Sequence, residues 1–232
     1  MEKLLEVKSL NKNYNDFSLK DISFSLEKGK VTGLIGKAGS GKTTLFLSIL
    51  KLINIDSGEV IFDGKEITNS KKITEISYLE CDRTLYPEII GYDYKELIKS
   101  AYKYQWSENI YCRYLETFFV NDNYKLSEYS PLTKIKFFLA VELAKSPKLL
   151  ILDEPTEGVY TSERAELLNI IRKIANDEDI TILFSSKSKD EITLVADNVL
   201  YLEDGELLLD MSIKAMEQMN DFKYFTGGKK IV

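Results

Sequence analysis

Two short stretches hold residues whose types and order suit chemistry on phosphate. Gly36-Lys37-Ala38-Gly39-Ser40-Gly41-Lys42-Thr43-Thr44 contains the spacing G-x-x-x-x-G-K-T. Before it comes an apolar run, Val31–Ile35, and after it Thr43–Leu52 has helical character. Glycines let a backbone wrap closely around phosphate oxygens with its N–H groups turned inward. The helix that follows adds its positive N-terminus to the same anion. In such a cradle Lys42 neutralises the β- and γ-phosphates, and Thr43 offers its hydroxyl to Mg²⁺.

The second stretch is Leu149-Leu150-Ile151-Leu152-Asp153-Glu154. Four apolar residues suit a buried central strand, and ligands of open α/β sheets bind at the C-terminal ends of such strands. Asp153 is then placed to hold a Mg²⁺ water shell. Glu154 can orient and deprotonate a water for in-line attack on a γ-phosphate.

The rest of the chain must position these groups. Strands are expected at Leu4–Leu10, Leu19–Leu26, Val31–Ile35, Val60–Phe62, Ile76–Leu79, Leu149–Leu152, Thr181–Phe184, Asn198–Leu202 and Leu207–Leu209. Helices are expected near Arg164–Asn176 and Lys189–Ala196, and residues from about Tyr86 to Lys145 form long amphipathic patterns. Alternation of strand and helix predicts an α/β fold: a nucleotide-hydrolase core with a mostly parallel sheet, N-terminal antiparallel strands and a helical insertion. One domain over 1–232 is expected, its core being 1–85 and 146–232 and its helical subdomain about 86–145. Eight aromatic residues of the insertion (Tyr86, Tyr92, Tyr94, Tyr102, Tyr104, Trp106, Tyr111, Tyr114) suit either a core or a docking surface.

Composition removes several classes of function. There is no histidine, which excludes histidine catalysis and His-ligated zinc. Cys81 and Cys112 are the only cysteines, too few for a disulfide framework and at no metal-site spacing. A net charge of −6 without a dense Lys/Arg run argues against nucleic acid as a partner. The opening residues alternate charged and apolar types, as in a strand and unlike a signal peptide. No apolar run is long enough to cross a bilayer.

Asp153-Glu154-Pro155-Thr156, preceded by Ala144-Lys145-Ser146-Pro147-Lys148, resembles the corresponding region of ABC-transporter nucleotide-binding domains. So do the opening Val7–Tyr14 and the closing Asp197–Gly205, so the resemblance covers nearly the whole chain. It implies ATP and Mg²⁺ as cofactors and Tyr14 as the aromatic that stacks on adenine. It also implies a head-to-tail dimer, each ATP lying between one subunit's glycine-rich loop and the other's signature segment. An integral-membrane permease would be the further partner, and the location the cytoplasm, peripheral on the inner face of the cell membrane.

Four positions depart from the family pattern. The signature falls on Tyr129-Ser130-Pro131-Leu132-Thr133, where only the serine is kept. Ser130 is a good helix N-cap, but Pro131 has no N–H and Leu132 adds a side chain where backbone must approach phosphate, so a weaker clamp on the partner's ATP is expected. The switch histidine is Lys187, which brings charge without a rigid ring. The residue sensing metal and water falls on Cys81, between Glu80 and Asp82, and an expected aspartate is Tyr160. The expected site is therefore Glu154, Lys42 and Lys187 for catalysis, residues 36–44 with Tyr14 and Ser130 for nucleotide, and Thr43, Asp153 and Cys81 toward metal. A homodimer, a heterodimer with a more complete ATPase, and a soluble regulatory ATPase stay open. A GTPase does not fit, because no guanine-selecting Asn-Lys-x-Asp is present.

Overall fold

The computed structural model describes residues 2–68, 74–80 and 86–218, so Cys81 and Asp82 lie outside the described residues. In chain order the strands are β1 (Lys3–Asn13), β2 (Ser18–Glu27), β3 (Val31–Ile35), β4 (Ser57–Phe62), β5 (Lys65–Glu66), β6 (Ile76–Leu79), β7 (Leu149–Leu152), β8 (Thr181–Ser186), β9 (Asn198–Glu203) and β10 (Glu206–Ser212). The helices are α1 (Lys42–Ile49), α2 (Gly91–Ala101), α3 (Glu108–Phe118), α4 (Pro131–Ala144), α5 (Thr161–Glu178), α6 (Lys189–Val195) and α7 (Ile213–Gln218), with a 3-10 turn at Leu126–Glu128.

The strands form a mixed ten-stranded sheet in the order β5-β4-β1-β2-β10-β9-β3-β8-β7-β6. Strands β9, β3, β8, β7 and β6 run parallel, whereas β1 pairs antiparallel with β2 and β4. The α/β architecture with N-terminal antiparallel strands is thus as the sequence predicts. β3, β6 and β7 keep the predicted limits, while most other strands run longer. The two-residue β5 and the terminal α7 were not anticipated; both are short and lack the periodicity that marks longer elements.

The central strands read as unbroken apolar runs because both faces of the sheet are covered. Leu150, Leu152, Ile182 and Phe184 pack on one side with α4 and α5, through Phe137, Leu139, Leu167 and Ile171. Their neighbours Leu149, Ile151 and Leu183 point to the other side, against Leu45, Phe46 and Ile49 of α1. The period-two alternation is intact, but each position finds an apolar partner.

The insertion's aromatic residues divide between core and surface. Tyr111 and Tyr114 are buried, with hydroxyls donated to Asp122 and Glu178 at 2.8 Å and 2.9 Å. Tyr94 and Trp106 pack on the same core. Tyr86, Tyr92 and Tyr104 are exposed. Among the described residues no helix is long and apolar enough to cross a membrane.

Asp197 locks the start of the central strand. Its carboxylate accepts the Val31 N–H at 2.9 Å and two bonds from Arg172 of α5, at 2.9 Å and 3.1 Å. Burial pushes its pKa up, but Arg172 and the Val31 N–H outweigh that and hold it below the ordinary range. A depressed folded-state pKa contributes stability above the unfolded value, and that stability disappears as pH falls through the folded value. Asp197→Asn is therefore expected to destabilise the fold by about 1–3 kcal/mol at pH 7. In urea titrations the gap to wild type should close as pH drops below about 4.

Candidate functional site

Parallel pairing brings three strand ends to one edge. β8 lies between β3 and β7, with Ile35 beside Ser186 and Leu152 beside Phe184. The glycine-rich loop leaves β3, Asp153 and Glu154 leave β7, and Lys187 leaves β8 from that shared edge.

The loop curves back over its own lysine. Lys42 is 4% exposed, and its Nζ donates to the carbonyls of Gly36 and Lys37 at 2.7 Å and 2.9 Å. Gly41 stands at the N-cap of α1 with φ 107, a region only glycine enters freely. A Cβ there would lie 2.5 Å from the Phe17 ring, and one on Gly36 would lie 2.5 Å from the Leu202 carbonyl oxygen. The first turn of α1 contains no acidic residue and Gly41 provides no side-chain cap, so the positive helix start is not cancelled locally and suits an anion. The β9–β10 turn braces this loop: Gly205 N–H donates to the Ser40 carbonyl at 3.1 Å. Lys37, Ala38 and Gly39 form its exposed rim, while Thr44 lies in the first turn of α1, its carbonyl accepting the Ser48 hydroxyl.

Asp153 is 3% exposed, and both its oxygens are engaged. Ser185 donates its hydroxyl to Oδ1 at 2.6 Å, and Thr43 donates to Oδ2 at 2.6 Å. The Ser185 oxygen also accepts the Glu154 N–H at 2.8 Å. Glu154 has φ 45, a left-handed conformation that is uncommon for a non-glycine residue and concentrates at functional sites. This turns the chain out of the strand and brings Glu154 between two lysines. Oε1 lies 3.2 Å from Lys42 Nζ, and Oε2 lies 2.7 Å from Lys187 Nζ. Burial favours the neutral acid, but Lys187 and Lys42 together outweigh it, so the Glu154 pKa falls below its ordinary value. The pair raises Lys187 in turn, through Glu154 first and Glu157 as well, against burial. The carboxylate is thus ionised at neutral pH, as a base must be before it takes a proton.

Over residues 19–157 the chain matches the family described as ABC transporter. It is 30% identical over 219 residues to the ABC transporter ATP-binding protein YtrB of Bacillus subtilis (strain 168), covering 93% of this chain and 74% of YtrB. The chain belongs to the ABC transporter ATP-binding family. The lantibiotic transport ATP-binding protein SrtF of Streptococcus pyogenes is 28% identical over 94% of this chain and 95% of its own. Among solved structures, cbiO1 of Clostridium perfringens, part of the ABC transporter complex cbiONQ, superposes with TM-score 0.80 at 25% identity, covering 94% and 92% of the two chains. An ATP-binding cassette in its ADP conformation shares the fold, with TM-score 0.81 at 22% identity over 98% of this chain and 100% of that one. The ABC ATP-binding domain binds ATP and hydrolyses it in transport, so the chain is the ATP-binding subunit of a transport system.

Of the positions that depart from the ABC pattern, Lys187 lies at the shared strand edge beside Glu154, whereas Ser130 and Tyr160 stand at the starts of α4 and α5. Tyr14 is half exposed just beyond β1, with Lys12 Nζ 5.0 Å from its ring centre. Ser130 caps α4, its hydroxyl accepting the Thr133 N–H at 3.2 Å, and Pro131 follows in the first turn. The Leu132 side chain corrects one expectation: it is 5% exposed and belongs to the core, so it does not obstruct approach to that helix end. Tyr160 is exposed ahead of α5.

Ser185, Glu157 and Glu191 were not singled out from sequence. Glu191 is buried and accepts the hydroxyls of Thr156 and Ser186 at 2.8 Å and 2.6 Å, with Arg164 at 3.2 Å. The readable signal was Ser185-Ser186, two hydroxyls ending an apolar strand next to the one bearing Asp153. Ser185→Ala removes a donor from buried Asp153 and an acceptor from the Glu154 N–H. A loss of about 1–3 kcal/mol in denaturant unfolding is expected, together with slower ATP hydrolysis.

Proposed function

We propose that this chain is the ATP-hydrolysing motor of an ABC transporter and couples MgATP-driven dimer closure to export through a separate permease. The observation that carries the proposal is Glu154, ionised and held between Lys42 and Lys187 beside the Thr43–Asp153 pair. A triphosphate in the loop competes with Glu154 for Lys42. Released from one cation, Glu154 becomes more basic. It then takes a proton from the attacking water as the oxygen bonds to the γ-phosphorus and the bond to the β–γ bridging oxygen breaks.

The Thr43 hydroxyl and Asp153 Oδ2 would hold Mg²⁺. They are hard oxygen donors, 2.6 Å apart and supplied by two different segments, which suits an ion that prefers oxygen and keeps several waters. When bound, the ion offsets charge on the phosphate oxygens. Tyr14 stacks on the adenine, and residues 36–44 enclose the phosphates. We take 1–232 as one domain, with core 1–85 and 146–232 and helical subdomain about 86–145; the single apolar cluster containing both Phe137 and Leu150 supports this. The export assignment draws on analogy with compact single-domain subunits of the family. The motor sits on the cytoplasmic face, peripheral to the membrane and under its permease. Nucleic acid is not among its partners.

A second reading is favoured by the start of α4. There Pro131 lacks an N–H and the Thr133 N–H is taken by Ser130, so two donors of that turn are lost to a phosphate. A homodimer would carry this weak clamp at both ATP sites, whereas pairing with a more complete ATPase confines it to one. Hydrolysis should then be slow for the chain alone and rise when the second subunit is added.

Calorimetry and steady-state kinetics test the main reading. Lys42→Ala should abolish measurable MgATP binding. Glu154→Gln should bind MgATP at least as tightly as wild type, because no carboxylate then competes for Lys42, while kcat falls about 10²- to 10⁴-fold. A Glu154→Gln protein hydrolysing at the wild-type rate removes Glu154 as the base.

A further inference from the structure

The turn after β7 carries two carboxylates, Glu154 and Glu157, with one cation between them. Lys187 Nζ lies 2.7 Å from Glu154 Oε2 and 3.3 Å from Glu157 Oε2. The same turn fixes their spacing, since the Glu157 N–H donates to the Glu154 carbonyl at 3.0 Å. The backbone on either side of Lys187 is also tied down. The Ser186 hydroxyl donates to Glu191 at 2.6 Å, and the Ser188 N–H donates to the Ser186 oxygen at 2.9 Å.

What remains free is the lysine's own stem. A lysine is a point charge on four rotatable carbons, and holding it in one geometry costs side-chain entropy. The Lys187 side chain is 44% exposed, so packing alone does not confine it. With Glu154 as its only anchor, the ammonium would swing about that one contact. A second anchor on the same turn narrows the swing and shares the charge, so that Lys187 does not pair with Glu154 alone.

We propose that Glu157 is a positioning residue for ATP hydrolysis, its carboxylate fixing the Lys187 ammonium beside Glu154. The proposal rests on the reading of Glu154 as the base. Glu157 acts only through Lys187, so its effect should vanish when that lysine is absent. The pair also accounts for two distant features of the sequence together: a flexible cation at position 187, and a carboxylate thirty residues earlier in reach of it.

The test uses Glu157→Gln in the full chain, with two measurements. Without nucleotide, Lys187 should be acylated several-fold faster by an amine-selective reagent, read by peptide mass spectrometry against Lys20 as internal reference. Glu157→Asp should fall between wild type and Glu157→Gln. In steady-state assays Glu157→Gln should lower kcat about three- to five-fold with KM for MgATP unchanged, the scale of an exposed ion pair. Placed on a Lys187→Ala background, the same substitution should change nothing further. Unchanged labelling of Lys187, or an equal fall in kcat with and without the lysine, overturns the proposal. The labelling needs no ATP, so it decides the clamp even where the Glu154 reading fails.

Discussion

A carboxylate that is almost wholly buried has to be satisfied, and Asp153 meets that demand with groups from two other segments. Leaving such a group unpaired in the interior costs several kcal/mol. Here Ser185 of β8 takes one oxygen and Thr43 of α1 takes the other. Three stretches far apart in the chain, near residues 43, 153 and 185, are thereby held at one point. The same serine receives the Glu154 N–H, so satisfying the buried acid also sets the direction in which the next residue leaves the strand. Parallel pairing of β3, β8 and β7 supplies the coarse alignment, and these hydrogen bonds supply the fine one.

Electrostatics then distinguishes the two acids. Asp153 accepts hydrogen bonds from neutral hydroxyls, whereas Glu154 faces two ammonium groups. Adjacent residues of nearly the same chemistry therefore take different work. One is fixed, buried and suited to a metal's oxygen shell; the other is partly exposed and, in the proposed mechanism, exchanges cationic partners as phosphate enters. Lys42 connects the two tasks, because its ammonium is shared between carbonyls of the loop and Glu154. In the proposed mechanism a phosphate drawn to Lys42 would raise the basicity of Glu154.

What could be read from sequence was local. The loop at 36–44 and the Asp153-Glu154 pair each lie within one strand–turn segment, so residue order alone carries their meaning. The β3, β6 and β7 limits follow from apolar runs covered on both faces. Other features depend on geometry that order does not encode. The inward direction of Leu132 is set by the phase of α4 against the core, and it reversed a steric expectation drawn from position alone. The exposure of Tyr86, Tyr92 and Tyr104 beside buried Tyr111 likewise depends on how α2 and α3 lie on α4. Lys187 meeting Glu157 requires the left-handed turn at Glu154, which no propensity for glutamate would suggest.

The same reasoning fixes what the degenerate helix start can still contribute. An α-helix presents a positive N-terminus through the summed dipoles of its peptides, and removing one N–H at Pro131 hardly alters that sum. The first turn of α4 has no acidic residue to cancel it, and Leu132 is folded away into the core. In the proposed dimer the field toward a partner's phosphate would therefore survive. What is lost is directional bonding: one donor is absent, and another is occupied by Ser130. A missing hydrogen bond to a charged group is worth about 1.5–3 kcal/mol, roughly ten- to hundredfold in an equilibrium constant. Such a loss weakens a composite site without abolishing it. It would make the two sites of a mixed dimer unequal, since only one of them faces this chain's α4.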